Sequence, residues 1–260
     1  MEPCKACGTL SELRHSHVIP EWAYKSVYTK KHKFAVVSAN SRDRILPEQK
    51  GWRERLLCGK CETYLSKLEN NLLQDVKYIR SGIRQVLTRA DMIVSFSETT
   101  LPSYNNFKRA VLSVLWRMAI STRNEFKNYS LQEHEPRIRD YIFNPNTKLK
   151  WAAYPIVLFR LTIGQKLDNG IMMLYPETTF AKGIAAKSFA IHGLQFTIYL
   201  YEPTLKGTVR SQIASMESIA LKESGKLTVA DLDIVQMIRP GKLFSRLLAA
   251  DVKAFYKRYS

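Results

Sequence analysis

No cysteine occurs beyond residue 61: Cys4, Cys7, Cys58 and Cys61 are the only four in the 260-residue chain. Thiol chemistry confined to one end marks that end as a separate module. Acidic residues are scarce, 23 Asp and Glu against 40 Lys and Arg, which leaves a net charge of +17. Such an excess repels itself in the compact state, so a polyanionic partner, nucleic acid first, is the natural explanation. An anionic membrane surface is the lesser competitor, because no basic amphipathic helix or lipidation motif stands out. No apolar run reaches the roughly 18–20 residues that cross a bilayer. Met1-Glu2-Pro3-Cys4-Lys5 also lacks the charged-then-apolar pattern of a secretory signal. The expectation is a cytoplasmic protein with reduced thiols, in which four cysteines fit a metal better than disulfides. Only 11 Gly and 10 Pro against 45% hydrophobic residues exclude a collagen-like or disordered chain. The length suits one large or two modest domains, and there is no internal repeat.

Three stretches differ in pattern: 1–75, which holds the cysteines; 76–150, which reads as helical; and 151–260, which reads as an α+β domain. Leu65, Leu68, Leu72, Val76, Ile79, Ile83 and Val86 recur at threes and fours, the stripe of a long helix starting near Cys61. Thr99–Asn106, with Pro102, reads as a loop. Helices are expected over about Asn106–Ser121 and Leu131–Ile142, the latter with Pro136 inside it. Pro155–Thr162, Gly170–Tyr175, Phe180–Ile184 and Phe189–Tyr201 are rich in β-branched and aromatic residues. With Asp168-Asn169-Gly170 as a turn and Gly193 breaking the longest run, they predict an antiparallel sheet. The tail returns to helix at about Val229–Met237 and Lys242–Tyr259.

The cysteines form two pairs, Cys4-x2-Cys7 and Cys58-x2-Cys61, fifty residues apart. Each pair can present two thiolates from a tight turn, and together they complete the tetrahedral set of a structural zinc site. Gly8 follows the first pair and Gly59 sits inside the second, as such knuckles require. The long gap leaves room for a hairpin between the knuckles and a helix at the second, the layout of a treble clef. The fold class is therefore α+β: a zinc-bound treble-clef or ββα-metal module, then helices, then an antiparallel sheet domain.

Between the knuckles lies Arg14-His15-Ser16-His17-Val18-Ile19-Pro20, and the second knuckle reads Leu56-Leu57-Cys58-Gly59-Lys60-Cys61-Glu62. With Cys4-x2-Cys7-Gly8, these segments resemble the HNH endonuclease family, the ββα-metal nucleases, over about residues 1–70. The resemblance implies phosphodiester hydrolysis, of DNA before RNA, with one divalent ion, magnesium or manganese. It makes His17 the general base that takes a proton from the attacking water, a task for which a neutral imidazole is suited near pH 7. The positions before that histidine and after the last cysteine are the family's metal ligands, and here they hold Ser16 and Glu62. Glu62 is an acceptable hard-oxygen ligand, whereas Ser16 is a poor one for which His15 can substitute. Glu69, two turns on from Glu62, is a further acidic group on the same helix face. The family's middle asparagine has no clear counterpart; Asn40, Arg42, Arg44 and Gln49 lie in the right interval, and Arg42 or Arg44 could clamp a phosphate.

Ser-His-Val-Ile-Pro with Cys-x2-Cys-Glu also resembles a divergent bacterial branch of HNH-like proteins, in which Leu-Trp-Arg follows on a later helix, here Leu115-Trp116-Arg117. Defence against phage or other foreign DNA fits that branch. The plainer readings are that His17 is structural, that Glu62 answers the helix dipole, and that Trp116 is core. Aromatics with interleaved basics (Tyr154, Phe159 and Arg160; Phe255 to Tyr259) either grip nucleic acid or belong to a sheet core and a solvated helix end. Two functions therefore stand: an HNH-type nuclease, or a catalytically degenerate zinc module that binds nucleic acid or a protein. A partner protein or a homo-oligomer stays open.

Overall fold

The computed structural model describes residues 1–36, 46–83, 85–89, 92–163, 166–167, 172–180, 184–201, 213–214, 217, 219–233 and 257. The chain opens with a small hairpin, β1 (Glu2–Pro3) and β2 (Leu10–Ser11), followed by β3 (Leu13–His17) and the one-turn helix α1 (Glu21–Tyr24). Strands β4 (Lys33–Val36) and β5 (Leu46–Gln49) pair with each other, and β6 (Arg53–Cys58) pairs antiparallel with β3. The long helix α2 (Gly59–Arg80) leads directly out of β6. Next come β7 (Gln85–Arg89), β8 (Met92–Thr100), α3 (Tyr104–Ile120) and α4 (Glu135–Phe143). Two short 3-10 turns, Asn124–Phe126 and Gln132–His134, precede α4, and strands β9 (Ile156–Ile163), β10 (Lys166–Leu167), β11 (Met173–Phe180), β12 (Ile184–Ile191), β13 (Leu194–Tyr199) and β14 (Lys226–Asp233) complete the described elements.

The large sheet runs β11-β12-β13-β9-β14-β8-β7, with β10 added beside β9. Five of its six neighbouring pairs on this path are antiparallel, and β14 lies parallel to β9. The sheet is thus mixed rather than purely antiparallel. Parallel neighbours need a long crossover, and the chain from β9 through β13 supplies one. The architecture is α+β, with β7 and β8 lying inside the interval 76–150 that reads as helical. No described helix is long and apolar enough to cross a membrane.

Several local expectations shift for physical reasons. The apolar stripe of α2 buries Leu65, Leu68, Leu72, Val76 and Ile79, but the helix stops at Arg80. Ile83 is exposed and Val86 belongs to β7, paired with Ser95. A Cβ added at Gly82 would lie 3.2 Å from both Ile79 O and Ser97 Oγ, a tight fit at the point where the chain turns. Thr99 and Thr100 continue β8, and α3 starts early because Ser103 caps it, accepting from the Asn106 N–H at 3.3 Å. Pro136 sits in the first turn of α4, where its missing N–H costs nothing, and so starts that helix instead of interrupting it. The helix expected from Val229 is strand up to Asp233: buried Leu227 and Val229 alternate with the less buried Thr228, a period of two fitted between β8 and β9. Residues 234–237, all of the 242–259 helix but Lys257, and the 168–170 turn lie outside the described residues.

One apolar cluster runs from the cysteine module into the sheet, joining Trp22, Leu57 and Leu65 to Trp116, Phe189 and Phe196. Helix α3 lies at its centre and is buried on nearly every side. Its cations therefore take backbone partners: Arg109 donates to the carbonyls of Tyr141, Asn144, Pro145 and Thr147, which ties α3 to the end of α4. Arg160, also buried, pairs with Asp231 at 2.7 Å and binds the Gly82 carbonyl, which removes it from any phosphate-gripping surface.

Candidate metal centre and the adjoining ribbon

The first knuckle is a tight turn between β1 and β2. Gly8, at φ +73°, donates to Cys4 O at 2.8 Å, and the Cys4 N–H donates to Thr9 O at 3.0 Å. The second knuckle is the start of α2, with Cys58 as its N-cap residue and Cys61 in its first turn. The two meet because Lys5 N–H bonds Leu56 O at 3.0 Å and the Cys58 N–H points at Cys4 Sγ, 3.3 Å away. The four sulfurs lie within 4.8 Å of one another, and Cys7 and Cys58 Sγ are 3.8 Å apart. A tetrahedral ion with zinc–sulfur bonds of about 2.3 Å requires sulfur–sulfur edges of about 3.8 Å. All four thiols are free, and a 3.8 Å separation is no disulfide. Hydrogen bonds with Thr9 hold the Cys7 thiol down at about 6, while burial pushes that of Cys61 up. The four cysteines could thus bind a metal ion such as zinc, which takes thiolates from each.

From this centre β3 and β6 run as a two-stranded ribbon. Its register is Leu13↔Cys58, Arg14↔Leu57, His15↔Arg55, Ser16↔Glu54 and His17↔Arg53, with Leu56 as the extra residue of a bulge. The bulge lets consecutive Leu56 and Leu57 both enter the core. Residues directly opposite share a face, and successive residues alternate. Ser16 and Glu54 therefore face inward. Ser16 is fully buried and donates to Glu62 Oε2 on α2 at 2.5 Å. Glu54 accepts from the Ser121 and Thr122 hydroxyls and the Thr122 N–H at the end of α3. His15, His17, Arg53 and Arg55 take the outward face, where Arg55 Nε donates to His15 Nε2 at 3.5 Å.

Among the expected site residues, Ser16 and Glu62 are brought into contact, whereas His15 is exposed and turned to Arg55. Among the described residues the four cysteines are the only group of three or more His, Cys, Asp and Glu side chains close enough to hold one ion. His17 is half-buried, and its Nε2 lies 3.3 Å from the Lys50 carbonyl. A carbonyl only accepts, so this bond puts the proton on Nε2 and leaves Nδ1 as the basic nitrogen. Burial holds the imidazole below its ordinary range, against the opposing charges of Glu21 and Glu69. Arg42, Arg44 and Asn40 lie outside the described residues.

The residue that sequence reasoning left without a role is Arg117. It is completely buried on α3; its Nη1 donates to the His17 carbonyl at 2.7 Å and pairs with Glu69 Oε1 at 2.5 Å. One guanidinium thereby fixes the end of β3 to both α2 and α3. The available signal was the Leu115-Trp116-Arg117 tripeptide. Trp116 is core, with its indole N–H on Glu135 Oε1 at 2.7 Å. Compared with protein-family models, curated proteins and solved structures, the chain matches none.

Proposed function

We propose that this protein is a metal-dependent endonuclease of the HNH type, built on a treble-clef zinc module and acting on the phosphodiester bonds of nucleic acid, DNA first. The observation that carries this reading is the His17 imidazole, neutral and oriented by the Lys50 carbonyl, on a strand whose preceding residue is fastened to Glu62 in the first turn of α2. In this reading the four-cysteine zinc is structural and holds β3 against α2. His17 Nδ1 accepts the proton of the attacking water. Glu62 is the carboxylate that would hold magnesium or manganese, whose charge would offset that developing on the phosphate. The net charge of +17 suits a polyanionic substrate, and a role in bacterial defence against foreign DNA fits it.

A second reading is favoured by the Ser16–Glu62 hydrogen bond, which occupies an oxygen of the carboxylate expected to hold the metal. Here the module is catalytically degenerate and binds nucleic acid or a protein. Metal analysis of the purified protein should return one zinc per chain, lost in Cys58→Ser. Plasmid cleavage with magnesium or manganese should then occur in the wild type and fall at least a hundredfold in His17→Ala. Wild-type cleavage rates in His17→Ala would remove the proposed base. No cleavage with either metal, with nucleic-acid binding intact, would establish the second reading.

A further inference from the structure

Five of the described arginines spend their donors on other groups of the protein. Arg109 binds four backbone carbonyls, Arg117 and Arg160 are buried in ion pairs, and Arg123 and Arg139 lie against glutamates. Arg53 and Arg55 differ. Both are exposed, both stand on the outward face of the β3–β6 ribbon, and neither forms an ion pair among the described residues. They are two residues apart on one strand, so their like charges stand side by side, about 7 Å apart. Across the ribbon they face His17 and His15. Exposed Lys50 lies just before β6. Among the described residues, the charges acting on the His17 ring are Glu21, Arg53 and Glu69; Glu69 is paired with Arg117, and Glu21 is exposed.

A row of unpaired cations on a rigid strand is unfavourable by itself and becomes favourable against a regular row of anions. We infer that the outward face of the β3–β6 ribbon is a phosphate-contacting surface for a nucleic-acid backbone, with Arg53 and Arg55 as its principal contacts. This rests on the nucleic-acid reading above and adds where the strand lies: along β6, on the face that carries the His17 imidazole. The guanidinium forks suit phosphate oxygens and carry no sequence information, so this face positions the substrate and does not select it.

The test is fluorescence-anisotropy binding of a labelled DNA duplex and a labelled single strand to the full chain, across a sodium chloride series, without added magnesium or manganese. Wild type is compared with Arg53→Gln/Arg55→Gln and with Lys127→Gln/Lys148→Gln, which removes the same charge from exposed positions elsewhere. The ribbon variant should bind at least tenfold more weakly at 0.1 M salt. Its slope of log affinity against log salt on the duplex should shrink by about 2, the loss of two phosphate contacts. The control should keep the wild-type slope. Equal effects in both variants, an unchanged slope in the ribbon variant, or no wild-type binding would each overturn the inference. Because no cleavage is measured, the outcomes separate: a wild type that binds through Arg53 and Arg55 yet never cleaves removes the nuclease and leaves this surface standing. Matching melting curves for the variants exclude misfolding as the cause.

Discussion

Replacing Arg117 with methionine tests how the ribbon is held. The substitution keeps the length and apolar body of the side chain while removing its charge from a site with no solvent exposure. Two groups lose their partner: the His17 carbonyl and Glu69, whose side chain is 17% exposed. Breaking one side of a buried ion pair costs about 3–5 kcal/mol, because the other charge stays behind unpaired. The residual exposure of Glu69 puts the expected loss near the lower end, about 3 kcal/mol. With an unfolding entropy of roughly 2.1 cal/mol/K per residue, a chain of this length should melt about 5–6 °C lower. Thermal and urea unfolding by circular dichroism would measure this in Arg117→Met, Glu69→Leu and the double variant. Since each single change strands the other's partner, the double should cost less than the sum, with a coupling of about 1–3 kcal/mol. A loss under 1 kcal/mol in Arg117→Met, or strictly additive losses, would refute the view that this guanidinium ties β3 to α2 and α3.

Two further outcomes follow from backbone and burial. Gly225, at φ +81°, packs so closely on the Leu101 carbonyl that a Cβ has no room, so Gly225→Ala should lower the urea midpoint more than Gly51→Ala, where φ is +72° and the obstacle is the side-chain ring of Tyr24 at 2.8 Å; equal midpoints would contradict the packing. Lys108 is buried on α3 among Tyr104 Oη and the carbonyls of Lys150 and Ala153, and burial lowers it from 10.5 to about 7. The unfolded chain therefore binds the extra proton between those values, so stability rises as pH climbs from about 7 to 10.5 and is lost on the way back down. The difference in unfolding free energy between wild type and Lys108→Met should change by on the order of a few kcal/mol between pH 7 and 10, and a pH-independent difference would show that Lys108 does not titrate there.

Local chemistry made part of this protein readable from its chain. Two Cys-x2-Cys pairs with their glycines announce a four-sulfur centre, because a knuckle is a short-range object whose spacing and turn residues are all in one stretch. The core stripe of α2 was legible because a 3.6-residue period records which side is buried, and the runs Pro155–Thr162 and Phe189–Tyr201 were legible from their β-branched and aromatic content, whereas Phe180–Ile184 spans the end of β11 and the start of β12. The end of α2 was not, because Ile83 and Val86 continue the helical spacing while Gly82 and the edge of a distant sheet decide otherwise. Nor was the strand at Val229, whose short alternating run acquires its identity only from β8 and β9 on either side.

At the candidate site the same division holds. Sequence alone brought out His17, Ser16 and Glu62 as residues of interest. It could not say that a bulge at Leu56 and strand alternation turn Ser16 to Glu62 and send His15 and His17 outward with Arg53 and Arg55. It could not give Arg117 its place either, since that residue lies a hundred positions from the carbonyl it holds. Residue type and spacing fix which atoms can do chemistry, whereas contacts between distant segments fix which of those atoms meet, because they depend on how the whole core closes.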